Sequence, residues 1–195
     1  AYIFYNDGSI PSTAGSADVT ITGETTNNYF GITFTSGDFN ADGRTDLAVG
    51  ASGYSTNTGR AYIFHNDGSI PTTAATADVT ITGEATNDTF GGSFTSGDWN
   101  ADGRTDLAVG ASSYSTYTGR AYIFYNDGSI PTTAATADVI ITGEAIFDSF
   151  GGSFTSGDFN ADGRTDLAVG ASGYSSSTGR AYIFYNDGST PTTAA

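Results

Sequence analysis

The amino-acid sequence predicts an all-β protein, a β-propeller whose blades are four-stranded antiparallel sheets. Three observations support this fold class. A unit of 60 residues recurs, because the segment AYIF begins at residues 1, 61, 121 and 181. Each unit contains four strand-like segments separated by turn residues. The composition, with 27 Gly and no helical periodicity, suits short strands and tight turns, so no helix is expected. Such self-similarity is typical of units arranged around an axis.

The four strands of a unit, named A to D, are most easily followed in the second copy. They are strand A at 90–97, strand B at 105–111, strand C at 119–126 and strand D at 138–143. The glycines of strand A predict close approach of a neighbouring backbone. In strand B, Leu107 and Val109 face one way while Ala108 and Gly110 face the other. Large residues on one face and small ones on the other predict a sheet packed between two other sheets.

The phase of the repeat has consequences for closure of the propeller. The chain begins and ends on strand C, so we expect 13 strands, equal to three blades and one surplus strand. We treat 1–195 as a single propeller domain or part-propeller. Its repeats are 1–60, 61–120 and 121–180, followed by an extra outer strand in 181–195. Because propellers close with about four to eight blades, three blades cannot close alone.

Two arrangements would complete the ring. A second chain, joined head to tail, would give six blades, with each junction blade taking strand D from its partner. One of two competing C strands would then be displaced. The alternative is that the chain is a fragment of a longer array.

The charge balance excludes several classes of partner. The formal net charge is −15, which disfavours nucleic acids and anionic membrane surfaces. No apolar run is long enough for membrane insertion.

The residues offer little for catalysis. With one His and no Cys, neither a catalytic triad nor a zinc site is available, so we predict no catalytic residues and no enzyme. His65 replaces a Tyr of the other copies, which favours a partly exposed strand position. The recurring Glu24, Glu84 and Glu144 favour turn residues or partners for arginine over a catalytic pair. For the arginines that open strand C we expect salt bridges between blades: Arg60, Arg120 and Arg180.

The loop between strands A and B carries the strongest chemical signal. It reads DFNADGRTD at 38–46 and 158–166, and DWNADGRTD at 98–106. Alternating Asp and Asn oxygens can converge, Gly permits a sharp reversal, and a backbone carbonyl and a final Asp can complete a shell of hard oxygens. Ca²⁺ prefers six to eight such ligands. These side chains could instead form Asx turns alone, but three intact copies, each crowding three carboxylates, favour a cation.

In the second copy these ligands are Asp98, Asn100, Asp102, the Arg104 carbonyl and Asp106. An EF-hand is disfavoured, because its loop closes with Glu at position twelve, where this chain has Val109.

These stretches resemble a known family. Phe-Gly at 30–31, 90–91 and 150–151 precedes each loop, and each loop precedes a Leu-Ala-Val-Gly-Ala strand. The pattern resembles the FG-GAP repeat of integrin α-subunit propellers and related bacterial surface proteins. The resemblance implies a β-propeller that binds Ca²⁺ in its A–B loops, about one ion per repeat and three per chain. By the same resemblance the other ligands are Asp38, Asn40, Asp42, Arg44 (carbonyl) and Asp46, with Asp158, Asn160, Asp162, Arg164 (carbonyl) and Asp166.

Three functions follow from these features. The resemblance favours an extracellular or cell-surface adhesion module that binds protein or carbohydrate. The near-identity of the copies also fits a structural or engineered scaffold that self-assembles and binds only Ca²⁺. A third possibility is an accessory domain of a larger secreted hydrolase. For a ligand surface we expect the variable loops, with Tyr54, Tyr114 and Tyr174. Trp99 could serve there as a sugar-stacking platform, although Phe39 and Phe159 at the equivalent positions favour packing on the rim.

Overall fold

The computed structural model describes residues 1–188 and 194, and within them 13 strands form four antiparallel sheets. The first six strands are β1 (Tyr2–Ile3), β2 (Val19–Thr20), β3 (Phe34–Gly37), β4 (Asp46–Ala51), β5 (Arg60–Phe64) and β6 (Val79–Thr82). The next four are β7 (Ser93–Gly97), β8 (Asp106–Ala111), β9 (Arg120–Phe124) and β10 (Val139–Thr142), and the last three are β11 (Phe150–Gly157), β12 (Asp166–Ala171) and β13 (Arg180–Phe184). The all-β prediction and the strand number are confirmed.

The sheets do not coincide with the 60-residue units that begin at AYIF. The first sheet pairs β1 with β2, the second has the order β3-β4-β5-β6, the third β7-β8-β9-β10, and the fourth β11-β12-β13. The predicted phase is confirmed, since the chain opens on a C strand and the last strand of the described residues is again a C strand. Instead of three blades and a surplus strand, the described residues form two complete sheets and two partial ones.

Strand A is shorter than predicted in two of its copies. We expected it to begin at the Phe-Gly pair, but β7 begins at Ser93, and only β11 begins at its Phe. The Gly of the pair is left-handed in every copy, with a φ of +82° at Gly91 and +80° at Gly151, and even in β11 the pairing register shifts between Phe150 and Ser153. The backbone at Gly91 also lies against the neighbouring strand, because a Cβ there would meet the Arg60 carbonyl oxygen at 2.5 Å. The predicted close approach is therefore confirmed.

Short helical turns lie between the strands, although no helix was predicted. One set lies between strands B and C, at Tyr54–Asn57, Tyr114–Tyr117 and Tyr174–Ser177, and a 3₁₀ set precedes strand D, at Ala14–Ser16, Ala74–Thr76 and Ala134–Thr136. The first set contains left-handed residues, such as Ser115 (φ 48°) and Thr116 (φ 58°). Turns of three or four residues are too short to show helical periodicity, so the sequence pattern could not reveal them.

Neighbouring sheets are joined along their A strands and through the C–D connections. The hydroxyls of Thr95 and Ser156, on β7 and β11, lie 3.2 Å apart. The C–D connections of the second and third sheets also reach back to the preceding sheet; for example, the Thr82 amide donates to the Thr132 carbonyl at 3.0 Å. Adjacent A strands with outward C and D strands give the sheets the relative placement of propeller blades.

The core lies between the sheets and is rich in aromatic residues. Phe90 is fully buried and meets Tyr122 edge-on, with ring centroids 5.4 Å apart. The same contact joins Phe30 to Tyr62 and Phe150 to Tyr182. Every residue of β8 is buried, which confirms that this strand is covered on both faces. Burying one such Phe contributes about 1.5–3 kcal/mol.

Candidate metal centre

The three Asp-rich loops connect β3 to β4, β7 to β8, and β11 to β12, and therefore lie along one rim of the sheets. Each loop is held by its own side-chain oxygens. In the second loop, Asp98 accepts hydrogen bonds from the amides of Asp102 at 3.1 Å and Gly103 at 2.9 Å. The Asn100 side-chain oxygen accepts from the Asp102 amide at 3.0 Å, and Asp102 accepts from the Arg104 amide at 2.8 Å. The other two loops repeat these bonds.

The backbone of the loop turns through two left-handed residues. Gly103 has a φ of +84°, as expected for the sharp reversal, and a Cβ there would meet no atom within 4 Å. The glycine is therefore favoured for its φ and not for lack of space. Ala101 is also left-handed, with a φ of 59°. The sequence did not reveal this second position, since Ala rarely adopts that conformation.

The last Asp of each loop is buried and fixes the loop to the next turn. Asp106 accepts the amide of Trp99 on one oxygen and the amide of Asn126 on the other, both at 2.9 Å. Burial raises the pKa of Asp106 to about 6, with a smaller rise from the charges of Asp102 and Asp98, against the lowering by the two backbone hydrogen bonds. Asp46 and Asp166 make the same pair of bonds. This carboxylate thus ties the A–B loop to the turn after strand C.

The donor chemistry of the loops fits Ca²⁺. Each loop offers three carboxylates, one amide oxygen and backbone carbonyls, which are the hard oxygen ligands this ion prefers. Within residues 1–188 and 194, however, no group of three or more His, Cys, Asp or Glu side chains is placed to hold a metal ion. The Asp98, Asn100 and Asp102 oxygens accept hydrogen bonds from the loop's own amides.

Tyr54, Tyr114 and Tyr174, which we expected in a ligand surface, are half-buried. Each packs on the arginine that opens strand C, with the Arg120 guanidinium 3.7 Å from the centre of the Tyr114 ring. The same arginines pair with Glu24, Glu84 and Glu144 of the preceding connection, at 3.0–3.2 Å. The predicted salt bridges between blades are thus confirmed, and the tyrosines belong to them.

Trp99 is not available as a sugar-stacking platform. Its side chain is only 4% exposed, and its indole N–H donates to the Asp166 carbonyl of the next sheet at 3.5 Å. The Phe of the first copy, Phe39, is equally buried. The residue therefore packs between sheets, which is the alternative that the Phe residues at the equivalent positions favoured.

A different set of large residues is exposed on the opposite rim. Tyr117, Ile146 and Phe147 are each more than half exposed, and the two aromatic rings are nearly parallel with centroids 6.5 Å apart. These residues lie in the variable loops where we expected a ligand surface, but they are not the residues that we predicted for it. The signal was present in the sequence, since the other copies have Asn57 and Asn87 where this pair has Tyr and Phe.

The chain is similar to the FG-GAP repeat family and to several long proteins. Residues 30–64, 90–124 and 150–184 each match the FG-GAP repeat. Phosphatidylinositol-glycan-specific phospholipase D of Bos taurus is 33% identical over 154 residues, which is 72% of this chain and 18% of that protein. Integrin alpha-5 of Xenopus laevis is 30% identical over 80% of this chain and 15% of the integrin. Integrin alpha-PS2 of Drosophila melanogaster is 31% identical over 83% of this chain and 12% of the integrin.

The chain spans less than a fifth of the length of these relatives. Among the described residues, no helix is long and apolar enough to cross a membrane.

Proposed function

Because this chain belongs to the FG-GAP repeat family, we propose that it is a calcium-binding propeller module that acts in extracellular adhesion to a protein or carbohydrate. The observation that carries the proposal is the threefold recurrence of one loop with the same oxygen donors and the same internal hydrogen bonds. The integrin relatives support the adhesion role. Millimolar extracellular Ca²⁺ suits sites of this kind, which favours an exported location.

The residues proposed to hold Ca²⁺ are the Asp, Asn and Arg carbonyl positions named for each loop. The Asp98, Asn100 and Asp102 side chains would offer the ion the lone pairs that their hydrogen bonds to loop amides leave free. Asp106 would keep its two backbone bonds and offer a remaining lone pair. The ion would neutralise three carboxylates that otherwise repel one another within nine residues.

Calcium titration calorimetry on the intact chain tests this proposal. We expect three ions per chain, and two ions in a variant with Asp98→Asn and Asp102→Asn in the second loop. An Asp7→Asn variant removes an exposed carboxylate outside the loops and serves as the control, with three ions retained. Absence of heat at millimolar Ca²⁺ would contradict the proposal.

We also propose that two copies join head to tail into a six-bladed ring, with 1–195 acting as one propeller domain. Among the residues that the structure describes, the fourth sheet lacks strand D and the first sheet lacks strands A and B. Ile183 of β13 is 50% exposed, whereas its equivalents Ile63 and Ile123 are covered by strand D and the next sheet. In the second sheet Ile63 pairs with Val79, so Ile183 would pair with Val19 of the partner copy.

The ring is tested by mass and by a cross-link that reports the register. Light scattering should give about twice the chain mass of 19.9 kDa. Since the chain has no Cys, the pair Val19→Cys and Ile183→Cys should form an intermolecular disulfide, whereas Thr20→Cys with Ile183→Cys should not, because Thr20 faces the other side. A monomer at all concentrations would exclude the ring.

A second candidate function is an accessory domain of a larger secreted hydrolase. It is favoured by the similarity to phosphatidylinositol-glycan-specific phospholipase D, of which this chain spans 18%. The sequence flanking the chain in its gene decides between the two, since an adjoining hydrolase domain would favour the accessory role. A chain that binds Ca²⁺ and no other ligand would favour the scaffold alternative.

A further inference from the structure

From the exposed residues on the rim opposite the metal loops, we infer a binding site for a neutral carbohydrate. The inference rests on the proposed ligand-binding role and names its surface and ligand class. The site is formed by Tyr117, Ile146 and Phe147, which we call the aromatic platform. Tyr117 lies in the turn between β8 and β9, and the other two lie in the connection from β10 to β11.

The aromatic platform is present at only one of the equivalent positions. Residues 60 positions earlier are Asn57, Thr86 and Asn87, so three polar residues are replaced by large apolar ones in a chain that is otherwise nearly repeated. Their exposures are 51% for Tyr117, 58% for Ile146 and 59% for Phe147. Burial does not account for these substitutions, and a cluster of exposed apolar residues marks an interaction site.

The backbone at the aromatic platform makes the substitutions more unusual. Tyr117 has a φ of 61° and Phe147 a φ of 68°. Asn tolerates this left-handed conformation, whereas a bulky aromatic residue there is an outlier. The conformation is imposed by hydrogen bonds between the two connections, from the Phe147 amide to Thr116 at 3.1 Å and from the Ser149 amide to Tyr117 at 2.7 Å. The aromatic residues are thus held in place against local preference, on a rigid support.

A polar cleft adjoins the aromatic platform. It has a volume of about 640 Å³, and its lining includes Ile146, Phe147 and Asp148 on one side and the hydroxyls of Ser175 and Ser176 on the other. Asp148 is 6% exposed, and its Oδ2 atom has no hydrogen-bond partner among the described residues. The Oδ2 atom of the equivalent Asp88 is enclosed and unpartnered in the same way, so the polar groups that the cleft itself offers to a ligand are the serines and Glu144 that line it.

These features together indicate the class of ligand. A hexose ring has a face of C–H groups that packs on an aromatic ring, and its hydroxyls donate to carboxylates and exchange hydrogen bonds with serines. The carboxylate of Asp148 and the net charge of −15 disfavour acidic sugars. The volume accommodates one or two sugar rings, within the usual range for small-ligand sites. The ligand is therefore a neutral mono- or disaccharide unit of a glycan.

Ligand-observed NMR on the full chain in calcium tests the inference. The probes are lactose, maltose, cellobiose and N,N′-diacetylchitobiose at millimolar concentration, with 3′-sialyllactose as the acidic sugar and an aromatic-rich neutral peptide as the protein-like ligand. We expect at least one neutral disaccharide to bind, and 3′-sialyllactose to bind at least about tenfold more weakly than it. Binding of none of the neutral sugars, or of the peptide alone, would overturn the inference.

Three variants locate the site. Phe147→Asn and Tyr117→Asn restore the residue found 60 positions earlier and suit the left-handed backbone, so both should fold and weaken binding by about tenfold or more. Tyr29→Thr removes another aromatic residue, 62% exposed, in the connection between the first and second sheets, and should leave binding unchanged. Unaltered sugar binding in Phe147→Asn would also overturn the inference. Calcium uptake, measured separately, distinguishes this failure from a failure of the metal proposal.

Discussion

The third and fourth sheets are built from nearly the same sequence, yet their side chains have different surroundings. Strands β9 and β13 have the identical sequence RAYIF, and four of the five residues are buried in β9 whereas none is buried in β13. Likewise Trp99 is buried, while the equivalent Phe159 is 43% exposed. The difference arises because β9 has strand D beside it and a further sheet behind it. Burial in this fold is therefore determined by the neighbouring sheet as much as by the local sequence.

The comparison predicts that equal substitutions have unequal effects in the interior and at the ends. The largest difference concerns the Phe that precedes each loop. Phe90→Ala should lower the free energy of unfolding by about 3–5 kcal/mol, because it leaves a cavity against Tyr122 and Phe124. Phe30 is partly exposed, so Phe30→Ala should cost clearly less. Urea denaturation measures both, and equal losses would refute the importance of the neighbouring sheet.

A second comparison uses the Ile of strand C. Ile123→Ala should cost about 2–5 kcal/mol, since this residue is buried between β8 and β10. In a single copy, Ile183→Ala should change stability by no more than about 0.5 kcal/mol. In the proposed ring, the same substitution should weaken association of the two copies. Denaturation measured at several protein concentrations separates these outcomes. A large loss of stability in Ile183→Ala that does not depend on protein concentration would contradict both the small effect expected in a single copy and the role of Ile183 in association.

A smaller effect is expected from the tyrosines of strand C at high pH. Burial, reinforced by the charge of Glu24, raises the pKa of Tyr62 to about 12 from 10.0, against the lowering by Arg60. Because the pKa of the folded state exceeds that of the unfolded state, this stabilising contribution is complete below pH 10 and is lost as the pH rises through 12. Burial also raises the pKa of Tyr122.

Tyrosinate absorbance and circular dichroism, followed together, test this pH dependence. Ionisation of Tyr62 should accompany loss of structure between pH 10 and 12, and Tyr62→Phe should remove that step. Ionisation of Tyr62 near pH 10 with the fold intact would contradict this prediction, because it would show that the hydroxyl is not shielded from solvent.

Much of the fold was predictable from the sequence because the repeat determines it. The period of 60 residues, the turn signals and the alternation in strand B predicted the strand number and the phase. The arginines that open strand C correctly indicated salt bridges between sheets, since Arg120 and Glu84 recur together at a fixed separation.

Other features depend on long-range packing and could not be predicted. The irregular backbone at the start of strand A lies against the preceding sheet, as at Gly91, and the burial of Trp99 depends on the adjacent sheet. The Tyr114 ring is held by Arg120, which the sequence pattern does not indicate. In the metal loops the sequence predicted the donors and the turn, but not the hydrogen bonds that turn Asp98 and Asp102 toward loop amides.

Thermal unfolding with and without a chelator is the most direct test of calcium binding. In millimolar Ca²⁺ the melting temperature should rise well above that in EDTA, because each site that is filled to about 100 times its Kd adds about 2.7 kcal/mol to the folded state. Replacing Asp98 and Asp102 by Asn should remove about one third of that rise. Identical melting curves in calcium and in EDTA would contradict the proposed calcium sites.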